Sequence, residues 1–267
     1  MAECNPQILE SQCVEIRRNI LETAHRTTAS AHLGSSLSLV EILVTLYDKV
    51  SINSQENRDR IILSKGHGAL AQYCVLMQKG LLDEEDLYTF EQNGSVLFAH
   101  AKRDVTKGLE FSGGSLSLGA SFAIGVALAC KEKQLNNRIY IILGDGECNE
   151  GLVWESIMSA AHFKLNNITF IVDHNKLQSD GLVSEVMSVD SLAAKMNAFG
   201  CRTLEVDGHS IEQLSKAIDT YDDKPIAIIA NTIKGKGVSF MENNAQWHYA
   251  YMSENQFKQA IEDINRE

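Results

Sequence analysis

The sequence predicts an α/β fold: a mostly parallel central sheet with helices on both faces. Three observations carry this expectation. Apolar runs rich in β-branched residues occur at 139–143, 168–172 and 225–231. They are too short for membrane spans and read as buried strands. Segments between them repeat apolar residues every three or four positions, the period of an amphipathic helix. Strand and helix alternate, and that order builds a parallel sheet through crossover helices.

Residues 8–30 read as a helix with Leu9, Cys13, Ile16, Ile20 and Ala24 on one face. A second helix covers residues 39–47. In the run 58–68 a short strand leads into Gly66-His67-Gly68, and a helix follows over 69–78. Residues 81–93 read as an acidic surface helix with a loop. Gly113-Gly114-Ser115-Leu116-Ser117-Leu118-Gly119 opens a small-residue helix over 120–131, and a further helix spans 150–163. Gln178 to Gly181 is a turn, and residues 191–200 form a helix capped by Gly200. A strand at 202–206 enters Asp207-Gly208-His209, followed by a helix over 211–221. Residues 253–266 close the chain as an amphipathic helix with Phe257, Ala260, Ile261 and Ile264 on one face. No repeat, low-complexity tract or linker interrupts this pattern, so residues 1–267 read as one domain.

Composition narrows the function. With 44 % hydrophobic residues the chain can bury a sizeable core. A net charge of −11 without a basic cluster speaks against nucleic acid, whose phosphates it would repel. Six scattered cysteines, none in a Cys-x-x-Cys pair, fit thiols in a reducing cytoplasm. The N-terminus lacks the basic flank and apolar stretch of a secretory signal. No run approaches the ~18 apolar residues of a membrane helix.

The chemistry concentrates between residues 138 and 177. Asp145, flanked by Gly144 and Gly146, falls just past one strand end. Asn175 falls just past the next. In an open α/β sheet, ligands bind beyond the carboxyl ends of the strands. Flanking glycines let backbone approach a ligand, and the following helix offers its N-terminus to an anion. Mg²⁺ takes one or two protein oxygens together with phosphate oxygens and water. Gly-Asp-Gly alone is most often only a turn; its pairing with Asn175 points to a metal-bridged phosphate.

Gly-Asp-Gly followed, 30 residues after its Asp, by the Asn of Asp-His-Asn-Lys-Leu resembles the thiamine-diphosphate motif. The wider run GDGECNEGLVWES is similar to the transketolase family. That resemblance implies a thiamine-diphosphate-binding fold. It implies Asp145, the Asn175 side chain and the Leu177 carbonyl as ligands to Mg²⁺ (or Ca²⁺ or Mn²⁺), with Gly146 at the diphosphate. Glu150 and Glu155 match an acidic pair that belongs to a carboxylate network at the subunit interface and are grouped with the cofactor residues. Taken alone, they are ordinary acidic residues in the first turns of a helix.

Further segments carry the same resemblance. His32 in SAHLGSSLS would face the substrate. DRIILSKGHGA places His67 at the diphosphate and substrate, with Lys65 beside it. His100 fits, by spacing, a histidine that bonds the donor sugar. Gly114 and Leu116 match cofactor contacts, although Ser117-Leu118-Gly119 departs from the family's Gly-Gln-Gly and leaves the substrate preference open. Lys234 and His248 match a basic loop and a histidine near the substrate. Without the family, these histidines read as surface or capping residues and the loop as solvated. His209 is as readily a helix cap as a ligand, and His162 and His174 read as structural.

A full transketolase is more than twice this length. The resemblance therefore implies the N-terminal half of a split enzyme, with the pyrimidine-binding half on a partner chain, in an α₂β₂ assembly. The implied activity is transfer of a two-carbon ketol unit from a ketose phosphate to an aldose. The alternatives are a pyruvate-using ligase of the deoxyxylulose-phosphate-synthase or acyloin type, and a non-catalytic regulatory subunit. A dinucleotide-binding fold is weaker, since GDGECNEG lacks the spaced three-glycine pattern.

Overall fold

A computed structural model describes residues 5–28, 30–52, 58–189 and 191–266. Residues 1–4, on which the reading of the N-terminus and of Cys4 rests, lie outside the described residues. Among those described, five strands form one parallel sheet. They are β1 (Arg60–Leu63), β2 (Ile139–Gly144), β3 (Ile168–His174), β4 (Arg202–Asp207) and β5 (Ile226–Asn231), in the spatial order β1-β2-β3-β5-β4.

The helices are α1 (Pro6–Arg26), α2 (Leu33–Ser38), α3 (Val40–Lys49), α4 (Ala69–Gln78), α5 (Glu84–Leu87) and α6 (Leu118–Glu132). After β2 come α7 (Gly151–His162), α8 (Val183–Val186), α9 (Leu192–Ala198), α10 (Ile211–Ile218) and α11 (Glu254–Ile264).

The sheet is covered on both faces, as expected. β2 is buried along its whole length, and successive side chains of a strand point to opposite faces. Tyr140, Ile142, Ile171 and Ile228 pack with α1, α3, α4 and α10. Ile139, Ile141, Leu143, Phe170 and Val172 pack with α6, α7 and α9. Each such buried side chain contributes roughly 1.5–3 kcal/mol, and the register is thereby locked, because a one-residue slip would exchange the two faces. Among the described residues no helix is long and apolar enough to cross a membrane. The five described cysteines are buried thiols.

Three local expectations are found with changed bounds. Residues 81–93 hold only the single turn of α5. Thr89 Oγ1 donates to the Asp86 carbonyl at 2.7 Å and meets Ser95 Oγ at 2.9 Å, so hydroxyls compete with the helix backbone. The helix expected over 39–47 is preceded by α2 and separated from it at Leu39. The helix expected from Glu150 is preceded by a 3₁₀ turn, Gly146–Asn149, because the Glu147 carboxylate folds back onto the Gly144 N–H at 3.0 Å.

The register aligns the strand ends that carry the polar residues. Gly144 lies opposite Asp173, and Asp173 opposite Ala230. The turns after β1, β2, β3 and β5 therefore emerge side by side at one edge of the sheet.

Candidate active site

These turns enclose a cavity of about 250 Å³. His32, Lys65, His67, His100, Gly114, Leu116, Asp145, Gly146, Asn175, Leu177, Lys234 and His248 all line it, together with Ser35, Glu147, Gln178 and Ser179. Side chains more than 200 positions apart in sequence thus face one space.

The four histidines form one wall. His32 stands at its centre, with ring centroids 5.7 Å from His67, 5.3 Å from His100 and 5.4 Å from His248. It arrives there as the N-cap residue of α2, and the Tyr249 ring packs against it at a tilt, with centroids 4.6 Å apart. His67 sits in a 3₁₀ turn whose glycine Gly66 touches Gly113 backbone to backbone. A Cβ on Gly66 would stand 2.8 Å from the Gly114 nitrogen, so only glycine lets these two turns meet. Burial, then the charges of His248, His100, Lys234 and Lys65, brings the His32 imidazole down to about 3. Burial and the Lys234 and Lys65 ammonium groups bring His248 down to about 4. Burial and Lys65 hold His67 well below its usual value. These three rings are neutral at pH 7, free to accept hydrogen bonds as well as donate them.

Two lysines, each 1 % exposed, place positive charge in the cavity. Lys234 Nζ lies 3.1 Å from His248 Nδ1 and 3.5 Å from Ser35 Oγ. Burial and the nearby Lys65 charge lower it to about 8. The turn Lys234-Gly235-Lys236-Gly237 holds it there. Gly235 has φ +79°, and a Cβ on it would stand 2.3 Å from the Met241 carbonyl oxygen. Lys236 points out and reaches Glu242 instead, at 3.8 Å.

Lys65 pairs with Asp173, a fully buried carboxylate that also accepts from Ser38 Oγ at 2.6 Å, from Thr232 and from Asn175 Nδ2 at 3.3 Å. Burial raises the Asp173 carboxyl, but the Lys65 ammonium and these hydroxyls outweigh it and leave it below the ordinary value. Asn175 Oδ1 accepts from the Leu177 N–H at 3.1 Å.

Asp145 is nearly buried and accepts from the Gly146 N–H at 2.7 Å and from the Lys176 N–H. Burial and then the Asp173 charge raise its carboxyl. A divalent cation would relieve that cost. The set on offer is one carboxylate, one amide oxygen and adjoining carbonyls. It is a hard oxygen set, suited to Mg²⁺ rather than to zinc. Among the described residues no three His, Cys, Asp or Glu side chains form a metal cluster, so phosphate oxygens and water would complete the coordination.

Two members of the site carry no signal in the sequence. Asp173 belongs to the Asp-His-Asn-Lys-Leu run but looks like the end of a strand. Glu147 reads no differently from Glu150 and Glu155. It turns inward, accepts from Ser64 Oγ, from the Ser117 N–H at 2.8 Å and from the Gly144 N–H at 3.0 Å, and lines the cavity. Burial raises its carboxyl. Glu150 and Glu155 do not line the cavity; both are exposed at the start of α7. His174 meets Asn231 Oδ1 at 3.1 Å, within the frame of the sheet.

Residues 9–265 match the model of a family described as transketolase, thiamine diphosphate binding domain. The chain belongs to the transketolase family. It is 36 % identical to one of the subunits of the apulose-4-phosphate transketolase of Actinobacillus succinogenes, over 97 % of this chain and 96 % of that protein. It is 37 % identical to the 6-deoxy-6-sulfo-D-fructose transketolase subunit SqwG of a Clostridium species, over 97 % of each. Human transketolase is 35 % identical over 91 % of this chain, which spans only 40 % of that enzyme. The crystal structure of Campylobacter jejuni transketolase superposes with a TM-score of 0.90 at 30 % identity, covering 98 % of this chain and 43 % of the other. The chain is therefore an N-terminal, thiamine-diphosphate-binding half of a transketolase, a transferase.

Proposed function

We propose that this transketolase half binds Mg²⁺-thiamine diphosphate in the cavity and, with a partner chain, moves a two-carbon ketol unit from a ketose phosphate to an aldose. The observation that carries this reading is that Asp145, Asn175 and four histidines all line one cavity. Asp145, Asn175 and the Leu177 carbonyl would hold the metal. Gly146, Gly114, Leu116 and His67 would contact the cofactor, with Lys234 and Lys65 supplying positive charge to the diphosphate. The cofactor, once bound, supplies an electron sink for carbanion chemistry. His32, His67, His100 and His248 then hydrogen-bond the sugar hydroxyls and pass protons among them. Mn²⁺ and Ca²⁺ accept the same oxygen donors.

The need for a partner is supported by relatives that are themselves named as transketolase subunits, which this chain matches over nearly their whole length. Leu118 and Phe122 on α6 and Met158 on α7 are exposed apolar side chains, suited to burial in such an assembly. We place Glu150 and Glu155 at that contact between subunits, in an α₂β₂ assembly working in the cytoplasm. The substrates in the relatives' names are a sugar phosphate and a sulfonated sugar. A donor with a terminal anionic group is therefore the class to screen.

Mixing the chain with its partner and a panel of ketose phosphates should release the shortened aldose without carbon dioxide. Carbon dioxide release from pyruvate would move the reading to a pyruvate-using ligase. Full turnover by the lone chain would remove the partner from it.

The lowered Lys234 gives a second test, in pH. Lys234 attracts an anion only when protonated, and a bound anion raises its pKa from about 8. Its contribution to pyrophosphate affinity should be present below about pH 8 and fade as pH rises through the bound value. Calorimetric titration from pH 7 to 10 should show wild type losing its advantage over Lys234→Met across that window. Parallel curves would exclude a direct role for this ammonium group.

A further inference from the structure

The turn Asp207-Gly208-His209 lies outside the cavity, yet it reaches the segment that carries Lys234. Asp207 Oδ1 accepts from the His209 N–H at 2.9 Å and shapes the turn. The Gly208 N–H donates to the Asn231 carbonyl at 2.7 Å. A Cβ on Gly208 would stand 2.4 Å from Thr232 Cγ2, so the turn seats directly on the end of β5. His209 then bridges two partners. Its Nδ1 lies 2.9 Å from Glu41 Oε2, and its Nε2 lies 2.8 Å from the Ile233 nitrogen.

The second contact decides the tautomer. The Ile233 N–H can only donate, so Nε2 carries no proton and Nδ1–H donates to Glu41. Glu41 is itself set by Arg17, whose Nη2 is 2.5 Å from Glu41 Oε1 and whose Nε donates to the Lys236 carbonyl at 3.2 Å. Arg17 and His209 therefore grip both sides of Lys234, one at residue 236 and one at residue 233. The Lys234 backbone between them is fixed by its carbonyl, which accepts from the Asn243 N–H, and by the next N–H, which donates to the Gly34 carbonyl, both at 2.9 Å.

We infer that His209 is a positioning residue: through Ile233 it holds the peptide that aims Lys234 into the cavity. The inference rests on the proposed anion-binding role of Lys234. The physical need is plain. The Ile233 N–H is partly buried, and a donor left without an acceptor there favours another backbone arrangement. The neighbouring peptide carries the lysine, so that rearrangement moves the charge.

Two substitutions separate the two contacts. His209→Gln places an amide oxygen at the reach of Nε2 and keeps an acceptor for Ile233. His209→Asn places an amide at the reach of Nδ1 and keeps the Glu41 contact only. In the chain reconstituted with its partner, His209→Asn should weaken Mg²⁺-thiamine diphosphate about 10-fold by calorimetry. His209→Gln should stay within about 3-fold of wild type, at a similar melting temperature. Inorganic pyrophosphate should report the same order. In ¹⁵N-histidine spectra of the wild type, His209 should appear as the Nδ1–H tautomer. An Nε2–H tautomer, equal affinities for both variants, or losses that only track melting temperature would overturn the inference. If wild type bound no cofactor, the proposed function would fall, and the tautomer would still decide the role of His209.

Discussion

Asp145→Ala should abolish binding of Mg²⁺-thiamine diphosphate and, with it, transfer activity. Removing even an outer-shell partner of a metal typically costs 10–100-fold in affinity, so loss of the carboxylate ligand should cost at least about 100-fold. The fold should survive. Asp145 is a buried carboxylate whose charged form burial and Asp173 both disfavour, so its loss removes an electrostatic cost along with two hydrogen bonds to backbone. Calorimetric titration with the cofactor at several Mg²⁺ concentrations, beside a thermal melt, measures both quantities. A variant that bound cofactor with unchanged affinity and unchanged Mg²⁺ dependence would refute the placement of the metal. Asp145→Asn should keep the shape and still lose most of the affinity, since an amide brings no charge to the cation.

The second large effect falls on stability. Lys65 and Asp173 form a pair in which both side chains are almost wholly inaccessible. Removing one member of a buried pair costs about 3–5 kcal/mol, because the other charge is left without a partner. Lys65→Met should therefore lower the unfolding free energy by roughly that amount. The hydroxyls of Ser38 and Thr232 remain on Asp173 and hold the loss at the lower end. For a chain of this size the melting temperature should fall by roughly 10 °C. Lys65→Met combined with Asp173→Leu should recover part of the loss, since well-packed apolar groups often replace a buried pair at little cost. Denaturant unfolding of the free chain reads both variants. A single variant as stable as wild type would mean that Asp173 is not charged in the folded chain.

Much of the frame could be read from local pattern. The runs at 139–143, 168–172 and 225–231 became β2, β3 and β5 with small changes at their ends. A strand buried on both faces is apolar throughout, and that pattern is visible in one dimension. The acidic helix read within 81–93 is present but stops after one turn, because Thr89 serves neighbouring backbone, a competition that periodicity does not register. In the cavity, residues next to glycine turns at strand ends were visible as candidates. Asp173 was not, because a carboxylate inside a strand looks like any strand end until Lys65, Ser38 and Thr232 are placed around it.

The sequence by itself determined the alternation of strand and helix, the glycine turns and the residue types available for a metal-bound diphosphate. These are local properties, set by backbone preference and by side-chain period. The tertiary structure alone decided which acid of Glu147, Glu150 and Glu155 turned inward, which lysine of the 234–237 turn faced the cavity, and what His209 was for. Each of those outcomes depends on partners far away in sequence, and a hydrogen bond or ion pair exists only once both of its ends occupy the same few ångströms.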